Sequence, residues 1–300
     1  MFSEKPAPSD VGFTVIVPCY NEYESISNVI ESLIISLKDA GTYEVIIVND
    51  GSTDGSADIL TEVVQRHPQV KVVTHAVNRG YGAALKTGIR HASAELLVIT
   101  DGDGTYPNDR IPELLELAQT ADADMVVGAR TAADVTYPFI RKIPKFFLIR
   151  YASWIARQNI PDINSGLRVM RRTVVEKYLP ILPDGFSFTT TITLAMVTNN
   201  YHVRYLPIGY ASRVGRSKIR PIRDTLHFMQ LILRTGMYFA PMRIFFPAAL
   251  ALGLLAMANL AYDLVILRDL TDTTVLLLLF TINIGMFGLL ADMIDKRSLK

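Results

Sequence analysis

Two carboxylates one residue apart, Asp101 and Asp103, directly follow the apolar run Glu95–Thr100. On a backbone loosened by Gly102, both can face one divalent cation. Hard oxygen ligands of this kind suit Mg²⁺ or Mn²⁺, and such an ion would also hold a diphosphate. The plain alternative is a solvated turn, since DGD is a common loop sequence. A second carboxylate, Asp50 in VNDGSTDG, follows the run Glu44–Val48. There it could accept a hydrogen bond from the N–H of a nucleic base, or belong to a helix cap in which Ser52, Thr53 and Asp54 are all competent. A third segment, PCYNE (Pro18–Glu22), follows the first apolar run.

Other chemistries find no support. Gly80-Tyr-Gly82 has Leu85 where a dinucleotide fingerprint needs a third glycine, and no GxxxxGK[ST] phosphate loop occurs. An EF-hand is excluded because Thr105 and Tyr106 stand at positions that require an acidic residue and a glycine. The five histidines are scattered without ligand spacing, and Cys19 lies alone in an apolar strand, where it reads as core rather than nucleophile. A net charge of +1 argues against a nucleic-acid partner.

These residues need a scaffold, and the apolar runs supply one. Phe13–Pro18, Glu44–Val48, Val70–Thr74, Glu95–Thr100 and Met125–Val127 are short, β-branched and nearly continuous, as strands buried on both faces of a parallel sheet are. Between them, Glu24–Lys38, Ser56–Arg66, Ala83–Ala92 and Asp109–Gln119 have helical periodicity. The alternation predicts an α/β doubly wound, mostly parallel sheet, which binds its ligands at the carboxyl ends of the strands. Every acidic motif falls at such an end. Further on, Tyr137–Gln158 reads as helical, Asn164–Gly166 as a turn, Thr190–Asn199 as a helix and Val203–Ile208 as a strand.

The chain closes with two uncharged apolar windows, Ile244–Tyr262 and Thr273–Ala291. Each spans ~28 Å at ~1.5 Å per residue, enough to cross a bilayer core. Lys and Arg are abundant in the flanks Arg213–Arg243 and Lys296–Lys300, whereas the intervening loop has Arg268 alone. The positive-inside rule then places both flanks in the cytoplasm. The expected organisation is a flexible leader at 1–11, a catalytic domain at 12–222, a juxtamembrane amphipathic helix at 223–240 and a two-helix anchor at 241–300. Small residues along Ala248–Ala258 would permit packing against a second copy.

The ordered series PCYNE, VNDGSTD, NRGYGAALKTG, DGDGTYP, VVGAR and NSGLRVMRR, over about residues 13–220, resembles family 2 glycosyltransferases of the GT-A fold. Within that family it is most similar to dolichol-phosphate mannose synthase and related polyprenyl-phosphate sugar transferases. The resemblance implies that Pro18, Tyr20 and Glu22 line a nucleoside pocket with Asp50 on the base. It implies that Asp101 and Asp103 bind the metal that bridges the nucleotide diphosphate. It also places Arg130, Arg141 and Lys145 on an acceptor phosphate, and Arg213 and Lys218 over the donor diphosphate. Relatives often carry a glutamine where this chain has Thr105, which leaves two protein carboxylates for the metal.

The chemistry of phosphates agrees, because an anionic donor and an anionic acceptor can meet only among cations and Arg or Lys side chains. In many family members a carboxylate general base comes from the segment that here reads Phe186–Thr193, which contains none. A phosphate needs no such base, being ionised at neutral pH, whereas a sugar hydroxyl does. Asp162 or Asp184 could serve if folding brought one near. The expected activity is inverting transfer of a hexose from a UDP- or GDP-sugar to a polyprenyl phosphate at the cytoplasmic face of the membrane. Asp103, Arg130 and Arg141 would be its catalytic residues. The rival expectations are transfer to another membrane lipid's hydroxyl, and a non-catalytic membrane subunit that binds nucleotide-sugar.

Overall fold

The computed structural model describes residues 11–131, 149–211 apart from 151 and 156, and 230–298 apart from 231, 232, 235 and 239. Seven strands form one sheet in the order β3-β2-β1-β4-β6-β5-β7. They are β1 (Phe13–Cys19), β2 (Tyr43–Asn49), β3 (Val70–Thr74), β4 (Leu96–Ile99), β5 (Met125–Ala129), β6 (Arg168–Arg171) and β7 (Val203–Pro207). All seven residues of β1 are buried, as its central place between β2 and β4 requires. β5 pairs parallel with β7, while β6 runs antiparallel to both β4 and β5.

That reversal matters for function. It carries the segment entering β6, residues 162–167, to the edge of the sheet where the parallel strands end. The sheet is therefore mostly parallel, as expected, with one inverted strand that the sequence pattern left unassigned.

Helices cover both faces. α1 (Ile26–Leu37), α2 (Ser56–Arg66) and α4 (Ile111–Thr120) enclose one apolar layer, which contains Val15, Val17, Ile30, Leu33, Leu60, Val98 and Leu114. α3 (Tyr81–His91), α5 (Arg172–Tyr178) and α6 (Phe188–Thr198) enclose the other, with Ile16, Leu85, Ile99, Val175, Phe188 and Ile192. Strand alternation delivers neighbouring residues to opposite layers: Ile16 faces one, Val15 and Val17 the other.

The chain then forms a helical hairpin. α7 (Pro241–Tyr262) continues through a π-helical turn, Asp263–Leu267, and α8 (Asp272–Ser298) returns alongside it. The apolar helix thus outlasts the window read from sequence by one wide turn. Asp263 is buried there because its carboxylate accepts hydrogen bonds from the Thr271 amide (2.9 Å), the Thr271 hydroxyl (2.6 Å) and the Thr274 hydroxyl (2.8 Å). Asn259 donates to the same Thr274 hydroxyl at 2.7 Å. Both arms are long and apolar enough to cross a membrane, Pro241–Leu267 with mean hydropathy 2.0 and Asp272–Ile294 with 2.2. The expected leader lies almost wholly outside the described residues, as do residues 223–229 of the expected juxtamembrane helix.

Candidate active site at the carboxyl ends of the strands

The loops after β1 and β2 are stitched together. Asn21 adopts a left-handed backbone (φ 56°), donates its amide to Ser52 Oγ and accepts the Thr53 amide on its side chain. The Glu22 amide donates to Ser56 Oγ at 3.1 Å, and its carboxylate accepts from Ser25 Oγ at 3.3 Å. Tyr20 is exposed just after β1, and Pro18, two residues before it in the strand, is buried. Cys19 is buried too, and burial first, then the charges of Glu22 and Asp54, push its thiol up to about 12. A thiol held protonated in this way is a core side chain, not a nucleophile.

Asp50 is buried, and the protein itself uses its carboxylate. Oδ1 meets His75 Nδ1 at 2.7 Å and accepts the Arg79 amide at 2.9 Å, while Oδ2 accepts the Gly80 amide at 2.8 Å. His75 is fixed in turn by Thr87 Oγ1 at 2.9 Å from Nε2. Asp50 thus pins the loop after β3 that leads into α3. A nucleic base would be a fourth partner for a carboxylate that has about four acceptor sites.

α3 begins with Tyr81, whose hydroxyl donates to Asp101 Oδ1 at 2.9 Å. Asp103 accepts the Thr105 amide at 3.1 Å and its hydroxyl at 2.7 Å, so Thr105 orients the second carboxylate. Burial, and next the charge of Asp103, raise the Asp101 carboxyl to about 6, although Tyr81, Arg130 and Arg168 act the other way. A cation bound beside Asp101 would relieve this penalty on its charged form. Hard carboxylate donors fit Mg²⁺ or Mn²⁺. Among the described residues no group of three His, Cys, Asp or Glu side chains gathers to hold a metal. Further ligands would have to be diphosphate oxygens and water.

The turn entering β6 touches both halves of the site. A Cβ at Gly166 would lie 2.8 Å from each oxygen of Asp101, so only glycine lets the turn lie flat against that carboxylate. The Gly166 amide donates to Tyr106 Oη at 2.6 Å. Four residues earlier, buried Asp162 accepts Arg130 Nε at 2.7 Å and Nη2 at 2.9 Å, and Asn164 accepts the same Nη2 at 2.7 Å. The Arg130 guanidinium also lies over the Tyr210 ring, 5.2 Å from its centroid. Arg168, fully buried, anchors the whole turn. Its Nε and Nη2 donate to the Ser165 carbonyl, and its Nη1 reaches the Thr189 carbonyl (3.2 Å) and Thr193 hydroxyl (3.1 Å) of α6.

The fold therefore brings Asp101, Asp103 and Arg130 to one edge, with the loops of Pro18, Tyr20, Glu22 and Asp50 beside them. Arg141, Lys145, Arg213 and Lys218 lie outside the described residues. The sequence does not single out Tyr81, Asn164 and Arg168, because their roles rest on contacts across the fold. Asp162, which the sequence offers as a base, is bound to Arg130 instead. Asp184 pairs with Lys86 Nζ at 2.7 Å.

Comparison with known proteins decides the family. The family model described as glycosyl transferase family 2 matches residues 14–179, more than half of the chain. The chain belongs to glycosyl transferase family 2. A second family model, the GtrB C-terminal hairpin, matches residues 240–296, which are the two long apolar helices. Among curated relatives, a dolichyl-phosphate beta-glucosyltransferase of Trichomonas vaginalis is 36% identical over 134 residues, 41% of this chain and 40% of the relative. An undecaprenyl-phosphate 4-deoxy-4-formamido-L-arabinose transferase of Edwardsiella ictaluri is 30% identical over 189 residues, 59% of this chain and 57% of the relative. The chain spans about half the length of the curated relatives it matches.

Solved structures of the same fold include glucosyl-3-phosphoglycerate synthase from Mycobacterium tuberculosis. It has a TM-score of 0.55 at 20% identity, covering 75% of this chain and 80% of that one. A mannosyltransferase from Pyrobaculum calidifontis in complex with GDP-Man and Mn²⁺ aligns over 97% of this chain and 90% of its own, with TM-score 0.52 and 19% identity.

Proposed function

We propose that this chain is an inverting glycosyltransferase that moves a hexose from a UDP- or GDP-sugar to a polyprenyl phosphate at the cytoplasmic face of a membrane. The observation that carries this reading is the turn at residues 162–166, which rests on the metal-type carboxylate Asp101 at Gly166 and holds Arg130 through Asp162 and Asn164. One turn would thus set the spacing between a cation held for the donor diphosphate and a guanidinium held for the acceptor anion. The named activities of the curated relatives, which include dolichyl-phosphate and undecaprenyl-phosphate transferases, point the same way.

A divalent cation held by Asp101 and Asp103 would supply positive charge to the departing diphosphate. Pro18, Tyr20, Glu22 and Asp50 would seat the nucleoside, and Arg213 and Lys218 would close over the diphosphate. Arg130, with Arg141 and Lys145, would hold the acceptor phosphate. An oxygen of that phosphate attacks the anomeric carbon from the face opposite the diphosphate. The bond from that carbon to the diphosphate oxygen breaks, its electron pair stays with the nucleoside diphosphate, and configuration inverts.

A phosphate acceptor needs no general base, and among the described residues the two carboxylates considered for a hydroxyl acceptor are already engaged. Asp162 is engaged by Arg130, Asp184 is paired with Lys86, and the first turn of α6, Phe188 followed by three threonines, carries no carboxylate. The apolar hairpin would keep this site beside a lipid whose head is the nucleophile, with both basic flanks on the cytoplasmic side.

The test is transfer of radiolabel from a panel of UDP- and GDP-sugars to polyprenyl phosphate, with Mn²⁺, Mg²⁺ or EDTA. Metal-dependent, acid-labile labelled lipid is the expected product. Asp103→Ala should lower turnover by on the order of 100-fold or more while the chain remains folded. Product formed equally well in EDTA, or by Asp103→Ala, would remove the metal assignment. Donor binding without lipid product would favour a hydroxyl acceptor or a non-catalytic subunit.

A further inference from the structure

Phe186 is 78% exposed, yet it is held in place with unusual care. Its ring stacks on Tyr81, centroids 5.5 Å apart at 20°, and Tyr81 is the residue whose hydroxyl binds Asp101. The segment before it is riveted to the start of α3. The Ala83 amide donates to the Asp184 carbonyl at 3.0 Å, and Lys86 Nζ meets Asp184 Oδ1 at 2.7 Å. The approach is so close that a Cβ at Gly82 would fall 2.2 Å from the Pro183 carbonyl oxygen. On the far side, the Phe188 amide bonds the Gly185 carbonyl at 3.2 Å, and Phe188 itself is fully buried. An isolated exposed apolar residue needs no explanation. One fixed from both sides, one ring away from a catalytic-type carboxylate, presents a rigid apolar wall at the mouth of the site.

The position of that wall in the fold says what it meets. Tyr81 packs on the layer built around Ile16, Phe188 and Ile192, and so do Ala240 and Ile244, the residues that open the apolar hairpin. The guanidinium of Arg243 bonds the Ile155 carbonyl in the same region, and Ile155 belongs to that layer. The face of the sheet that carries Phe186 is thus the face from which the hairpin departs. Resting on the acceptor reading above, we infer that the Phe186–Tyr81 pair grips the isoprenoid stem next to the acceptor phosphate, making Phe186 a specificity-determining residue for a branched lipid chain. A hexose could also lay its C–H face on this wall, but its hydroxyls would still call for polar partners, and the hairpin that departs from this face favours the lipid. The stem needs no polar partners. Its methyl-branched units gain by leaving water against a flat aromatic surface.

The experiment measures KM separately for donor and polyprenyl phosphate in the detergent-solubilised full chain, comparing wild type with Phe186→Ser and Phe186→Tyr. The acceptor KM of Phe186→Ser is expected to rise about tenfold, as loss of one aromatic contact covered by the bound lipid would give. Phe186→Tyr, which keeps the ring, should restore it. A rise carried by the donor KM would place the ring against the sugar and overturn the inference, as would an acceptor KM that does not move. Failure of the acceptor reading itself would be visible earlier, because wild type would then make no lipid product at all.

Discussion

Gly166 shows how little room the site leaves around its metal-type carboxylate. A methyl group there would sit at 2.8 Å from both oxygens of Asp101, closer than van der Waals contact allows. The turn that bears it cannot retreat, since Arg168 and Tyr106 hold Ser165 and Gly166 from behind. Asp101 must therefore move. Gly166→Ala should still fold, at a cost of about 1–3 kcal/mol for the overpacking, and lose on the order of 100-fold in turnover, as misplacing a group of the site by about 1 Å can. Titration of the folded variant with Mn²⁺ and nucleoside diphosphate should show weakened binding. Wild-type metal affinity would mean that Asp101 does not serve as a ligand. The residue types of this site could be read from sequence, because acids at strand ends and Arg130 after β5 announce themselves. Their arrangement could not, since Tyr81 reaches Asp101 and Asp162 reaches Arg130 only after the sheet has formed.

At the scale of elements, periodicity located what is apolar and continuous. α2 at Ser56–Arg66 and β3 at Val70–Thr74 agree with the sequence pattern to the residue, and α1, α3 and α4 differ from it only near their ends. β6 escaped because its four residues are Arg-Val-Met-Arg, with a buried guanidinium where a strand core should be apolar. The Ser165 and Thr189 carbonyls, the Thr193 hydroxyl and the nearby charge of Asp162 make that burial tolerable.

Glu44 on β2 is a similar case that carries a measurable consequence. It is buried, and its carboxylate accepts from Thr14 Oγ1 at 2.8 Å, Lys71 Nζ at 2.7 Å, and both the amide and hydroxyl of Ser93. Burial acts to raise this group, but the hydrogen bonds from Lys71, Ser93 and Thr14 together lower it from 4.5 to about 2. The folded state thus prefers the ionised form. Its contribution is complete above pH 4.5 and is lost as the pH falls towards about 2. Glu44→Gln should cost about 1–2 kcal/mol at neutral pH. Thermal unfolding followed by circular dichroism should show the gap from wild type closing through that acid window. A gap independent of pH would assign the loss to packing instead.

Over the whole molecule, charge and hydropathy are divided along the chain. The net charge is +1 and the mean hydropathy +0.26, yet the apolar excess lies in two adjacent helices. The first turn of α7 packs on the same layer of the sheet as Tyr81, which sets the candidate site close to where the hairpin begins. If both basic flanks remain in the cytoplasm, the tight loop around Asp269, between the π-helical turn and α8, must lie on the opposite side of the membrane. The chain is well suited to testing this, because its single cysteine is buried with its thiol pushed up to about 12 and is therefore silent to maleimides. Asp269→Cys and Thr61→Cys each place one thiol at an exposed position, the first in the hairpin loop and the second on α2. In intact cells a membrane-impermeant maleimide should label Asp269→Cys at once and Thr61→Cys only after permeabilisation. The reverse pattern would turn the site to the outer face, away from cytoplasmic nucleotide-sugars. Labelling of both before permeabilisation would mean that the hairpin does not span the bilayer, and the site would then have to reach its lipid from the surface.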